Sequence, residues 1–104
     1  GMVQTVTRKR IEILVDTPLA PRIIAQIKAV DISGWSLIHV DSGGGRNGEW
    51  QHDDVTGAAA KTIVLAIASE QKTDALVDLL APLLDSYRLL LTIGDVQVVR
   101  GERF

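Results

Sequence analysis

Chemistry in this chain concentrates in one stretch, Val40-Asp41-Ser42-Gly43-Gly44-Gly45-Arg46-Asn47-Gly48-Glu49-Trp50. It leaves an apolar segment and breaks into three consecutive glycines followed by an arginine. Three glycines cost folding entropy, so a fold keeps them where backbone takes φ > 0 or approaches something closely. Bare N–H groups beside a guanidinium suit an anion such as a phosphate or carboxylate. The competing reading is a plain flexible connection between strands. Lys61, just past this polar region, is a further candidate cation, or an ordinary lysine flanking a strand. Glu49, His52, Asp53 and Asp54 form an acidic and histidine-bearing cluster, but nothing in a loop fixes the geometry a metal needs, so no metal site is assigned. Trp50 stands in polar surroundings and is a candidate anchor for a partner protein.

Catalysis finds no footing in the residue inventory. Among 104 residues there is no cysteine and there are two histidines, and no serine lies in a nucleophile-elbow pattern. The glycine run lacks the Lys-Ser/Thr of a P-loop. The chain reads as a non-enzyme with no catalytic residues. A net charge of −2 argues against a nucleic-acid binder, which needs clustered excess Lys and Arg. No segment approaches the roughly 20 apolar residues of a membrane span, and the N-terminus lacks a signal peptide's apolar region. Absence of cysteine is compatible with a reducing cytoplasm, the expected location. Gly1 ahead of Met2 reads as the remnant of a removed tag.

The elements that must position these residues follow from periodicity. Residues 1–8 read as a loose lead-in to one domain over 9–104. Ile11, Ile13 and Val15 alternate on a first strand. Thr17-Pro18 opens a helix whose stripe is Leu19, Ile23, Ile27 and Val30, with Pro21 moving the regular start nearer itself. Gly34 is the expected turn residue after it, and Trp35 the expected core anchor of a second strand running to Val40. Residues 61–68 are apolar on both faces and read as a central strand. Ser69 caps a second helix with Leu76, Leu80, Leu83 and Leu84 inward, and Pro82 is expected to break it near Ala81. Residues 89–93 form a strand, Gly94-Asp95 a bend, and residues 96–100 a further strand.

The order is βαββαβ: an α+β, ferredoxin-like plan, with a four-stranded antiparallel sheet carrying two helices on one face. Aliphatic residues remain on the other face. Such a patch marks an interface, so an oligomer is expected.

This plan, with a long loop between its second and third strands, resembles the PII signalling superfamily, nearest its branch linked to bicarbonate transport and carboxysomes. Lys9 to Val15 with Leu19 to Val30 after it, Gly34-Trp35-Ser36 to Val40 leading into Gly43-Gly44-Gly45-Arg46-Asn47, and Val98-Val99-Arg100-Gly101-Glu102-Arg103-Phe104 carry the resemblance. The loop is similar to that family's T-loop, and the last stretch to the strand where relatives place cationic phosphate ligands. The resemblance implies a homotrimer with sheets inward. It also implies adenine nucleotide (ATP, ADP or AMP) in the clefts between subunits, with bicarbonate a further candidate ligand. Carried over residue by residue, it implies an anion site of Ser42, Gly43, Gly44, Gly45, Arg46, Lys61, Arg100, Gly101 and Arg103. The T-loop would pass nucleotide state to a partner such as a transporter or a carboxysome-related protein. The chain departs from both the carbon branch and the nitrogen-regulatory members. Serine replaces the first glycine of the carbon branch's Gly-x-Gly-x-Arg, Tyr87 is the sole tyrosine and lies outside the loop, and residues 84–88 hold no glycine-lysine phosphate loop. Two alternatives stay open: a metal-tolerance trimer of the same architecture, and a small ferredoxin-like enzyme using His39 or His52.

Overall fold

Alternation builds the sheet first. In β1 (Thr5–Asp16) the side chains of Ile11, Ile13 and Val15 all point one way and are buried. The structure, a computed structural model, describes residues 3–45, 48–51 and 60–99, without the side chains of Trp50 and Gln51. β1 lies between β5 (Lys61–Ala68) and β6 (Leu90–Val99), and β2 (Trp35–Val40) closes the far side of β5, giving the antiparallel order β2-β5-β1-β6. β5 is central, as its two apolar faces require.

Two helices cover one face. A 3₁₀ turn over Thr17–Leu19 leads into α1 (Ala20–Ala29), and α2 spans Glu70–Ser86. Ile23 and Ile27 from α1 and Leu76 and Leu80 from α2 are buried against Ile11, Ile13, Val15, Val64 and Ala66. Burying each such side chain contributes about 1.5–3 kcal/mol, and this layer is the only core among the described residues.

Both helices end in the same hydrogen-bonded motif. Asp31, at φ 61°, donates its N–H to the Lys28 carbonyl at 3.0 Å, and Ile32 N–H reaches the Ile27 carbonyl at 3.2 Å. Arg88, at φ 53°, allows Leu89 N–H to reach the Leu84 carbonyl at 3.1 Å. These pairings satisfy carbonyls that a helix end leaves open. Asp31 therefore does what the sequence suggested for Gly34, helped by Lys72, whose ammonium donates to the Asp31 carbonyl at 2.7 Å.

Four other expectations change. Thr5–Arg8 are strand, not lead-in, because Thr5 to Arg8 pair with Val99 to Val96. β6 runs straight through Gly94-Asp95, since Gly94 faces Arg10 and Asp95 faces Lys9 across the ladder. Pro82 sits inside α2 without ending it. Its ring is on the exposed side, while Leu80 behind it is anchored at 0 % exposure. Trp35 is 37 % exposed, because it lies on the edge strand, where the Lys28 ammonium stands 5.8 Å from its ring.

Candidate functional site

The sheet face opposite the helices decides what this fold can do. The register stacks its side chains in rows across the strands. Ile38, Ile63, Leu14 and Leu90 form one apolar row crossing all four. Ile38 at one end is 42 % exposed and Leu90 at the other 57 %. Ser36, Leu65, Glu12 and Thr92 form the next row, then Ile67, Arg10 and Gly94. Arg10 Nη2 lies 2.8 Å from Glu12 Oε1. Because Gly94 has no side chain, a hollow of about 330 Å³ opens there, lined by Arg10, Glu12, Thr92 and Val96 among others. On the opposite flank of the apolar row, Val40, Lys61 and Asp16 share a row, and the Lys61 ammonium pairs with the Asp16 carboxylate.

That last row borders the glycine segment. Two residues beyond Val40 the chain turns into a separate two-stranded ribbon, β3 (Ser42–Gly45) with β4 (Gly48–Gln51). Ser42 faces Gln51, Gly43 faces Trp50, Gly44 faces Glu49 and Gly45 faces Gly48. Gly48 takes φ +102°, a conformation that side chains resist. Gly44 and Gly45 are different. A Cβ on Gly44 would meet only Glu49 Cγ at 3.7 Å, and one on Gly45 would meet nothing within 4 Å. The ribbon's own packing does not require glycine there, so these positions leave bare backbone open to approach from outside.

The expected site residues fall into separate groups. Ser42, Gly43, Gly44 and Gly45 form β3, and Lys61 opens β5 beside the ribbon's base. Trp50 lies in β4, its side chain outside the described residues. Arg46, Arg100, Gly101 and Arg103 lie outside the described residues, as do His52, Asp53 and Asp54. Even so, register limits how these groups can meet. Val99 pairs with Thr5, eleven strand steps from Asp16, or roughly 35 Å. Within one chain, therefore, Val99 at the end of β6 lies far from Lys61.

Sequence reading missed Asp16 and the Arg10–Glu12 pair. Arg10 and Glu12 share a face at strand spacing, a signal available in the sequence. Asp16 had none, because its partner is 45 residues away and is set by strand register. His39 points to the helix side of edge strand β2, opposite Thr62, and is exposed. Among the described residues no group of three or more His, Cys, Asp or Glu could hold a metal, and no helix is long and apolar enough to cross a membrane.

A family model described as nitrogen regulatory protein P-II matches residues 8–103, and the chain belongs to that family. The fold agrees. CPII, a nitrogen regulatory PII-like protein from Thiomonas intermedia K12, bound to ADP, AMP and bicarbonate, superposes with TM-score 0.89 at 18% identity, over 99% of this chain and 98% of that one. The same protein bound to ADP and bicarbonate gives 0.86 at 17% identity, over 99% of both chains. A Thermus thermophilus protein described as PII-like and signaling superposes with TM-score 0.82 at 20% identity, over 97% of this chain and 98% of that one. A comparison with curated proteins gives no match. At these identities the structural likeness speaks for the fold, and the family match for membership.

Proposed function

We propose that this protein is a PII-like signal transducer, not an enzyme, that works as a cytoplasmic homotrimer. Adenine nucleotide (ATP, ADP or AMP) binds in the clefts between subunits, with bicarbonate as a co-ligand. The glycine-bearing segment over residues 42–58 acts as the T-loop that carries nucleotide state to a partner, a transporter or a carbon-metabolism protein. Ligand contacts bias the order of such a segment, and a partner reads the difference.

The observation that carries this reading is the separation of Lys61 from the end of β6 in a chain of the P-II family. Lys61 and β3 stand at one end of the sheet, and the strand leading to Arg100 and Arg103 leaves from the other. A site that drew on both ends of the sheet would need two copies. The uncovered apolar row Ile38–Ile63–Leu14–Leu90 supplies a surface for such copies to share. Support for the ligand comes from the ADP, AMP and bicarbonate named for the Thiomonas protein of the same fold.

Isothermal titration with ATP, ADP and AMP, with and without Mg²⁺ and bicarbonate, tests the proposal. Saturation near one nucleotide per chain is expected. Absence of both heat and thermal stabilisation with all three nucleotides would remove the nucleotide reading. Arg46→Ala is expected to weaken affinity with the fold intact, because a loop arginine adds little to the core. Unchanged affinity takes Arg46 out of the site. Trp50→Ala is expected to weaken partner binding while the trimer persists, and a monomer on size exclusion would show a structural role.

A further inference from the structure

We infer that Asp16 sets the affinity of the proposed anion site by occupying its cation: the carboxylate holds the Lys61 ammonium in the place an incoming anion must take. This rests on the nucleotide reading above. Asp16 and Lys61 are register partners on the open face, in the sheet row next to the base of the glycine ribbon, and their side chains are ion-paired. The backbone carrying them is pinned from both sides. Thr17, which follows Asp16, donates its N–H to the carbonyl of Ala60, which precedes Lys61, at 3.0 Å. The Thr17 and Thr62 hydroxyls share a hydrogen bond at 2.9 Å, with Thr62 itself 1 % exposed.

The two charged side chains, by contrast, are part-open. Lys61 is 28 % exposed and Asp16 40 % exposed, so both charged ends reach solvent. Ion pairs of that exposure are weak and screened by salt. A phosphate end, with more charge and more acceptor oxygens than one carboxylate, therefore displaces Asp16 and takes Lys61. The exchange leaves Asp16 facing the ligand as a like charge, which lowers affinity.

The test titrates ADP into the full-length wild type, Asp16→Asn, Lys61→Met and the double variant at one fixed ionic strength. Asp16→Asn keeps the side chain's size and hydrogen bonding while removing its charge. It is expected to tighten ADP about two- to fivefold, with Lys61→Met weakening it. The Asp16→Asn gain is expected to shrink in the Lys61→Met background, since the competition works through Lys61. Binding by Asp16→Asn but not by wild type supports the inference in its strongest form. Equal or weaker binding by Asp16→Asn overturns it, with the nucleotide reading left standing. So does an undiminished gain in the Lys61→Met background, which would mark a general charge effect. Binding of ADP by none of the four proteins removes the nucleotide reading, and the inference falls with it.

Discussion

Lys9 and Asp95 are register partners across β1 and β6, and the lysine ammonium donates to Asp95 Oδ1 at 2.6 Å. The pair sits just where the sequence suggested that the last strand bends. That hydrogen bond, ahead of the added charge of Asp95, Glu70 and Asp74, raises the Lys9 pKa above its ordinary 10.5 against an opposing desolvation. A raised value in the folded state means the fold holds this proton more tightly than the unfolded chain does. The contribution is complete below the unfolded value and is lost as pH rises through the folded one. Asp95→Asn is therefore expected to flatten the loss of stability on the alkaline side. Thermal melts of both proteins from about pH 9 to about pH 12 read this directly. Parallel curves would show that the pair contributes nothing.

The open face gives a second prediction. Ile38 lies at the edge of its apolar row and is 42 % exposed, so Ile38→Asp empties no core. In an isolated chain such a change costs within about 0.5 kcal/mol. If copies of the chain cover this face, the buried carboxylate instead breaks the assembly. We expect Ile38→Asp to elute as a folded monomer with unchanged circular dichroism. Elution together with the wild type would show that the row is not the shared surface.

Adjacent residues on α2 predict opposite outcomes. Leu80 is 0 % exposed and Leu79 42 % exposed. Leu80→Ala removes buried methyl groups and leaves a cavity, at an expected cost of about 2–5 kcal/mol in urea unfolding. Leu79→Ala is expected to stay within about 0.5 kcal/mol, the range of ordinary surface changes. Similar losses for both would mean that Leu79 is covered in solution.

Pro82 offers a stabilising change. It lacks the N–H that would bond the Asp78 carbonyl, and proline in a helix interior is about 3 kcal/mol less favourable than alanine. Proline also restricts the unfolded chain, which offsets about 0.4–1 kcal/mol of that difference. Pro82→Ala is expected to raise unfolding stability by at least about 1 kcal/mol. A fall in stability would show that the ring's packing outweighs the missing hydrogen bond.

Much of the fold was legible in the residues alone, and the reason is local. Alternation of Ile11, Ile13 and Val15, the helical spacing of Ile23 and Ile27, and the doubly apolar run at 61–68 each follow from periods that one segment carries by itself. So does the polar, glycine-bearing break after Val40. Local signals misled where a neighbour from elsewhere in the chain decides the outcome. Proline at 82 stops an isolated helix, but Leu76 and Leu80 are fastened to the sheet on one side of it. Gly94-Asp95 bends an isolated strand, but Arg10 and Lys9 hold it straight. Trp35 is apolar enough for a core, but strand order puts it at an edge.

The candidate site divides along the same line. Its residue types, a run of glycines with cations near it, were visible because composition is a property of a segment. The pairings of Asp16 with Lys61 and of Val99 with Thr5, at opposite ends of β1, came only from tertiary structure. Both depend on strand register, which side-chain packing over the whole sheet selects and no single segment encodes.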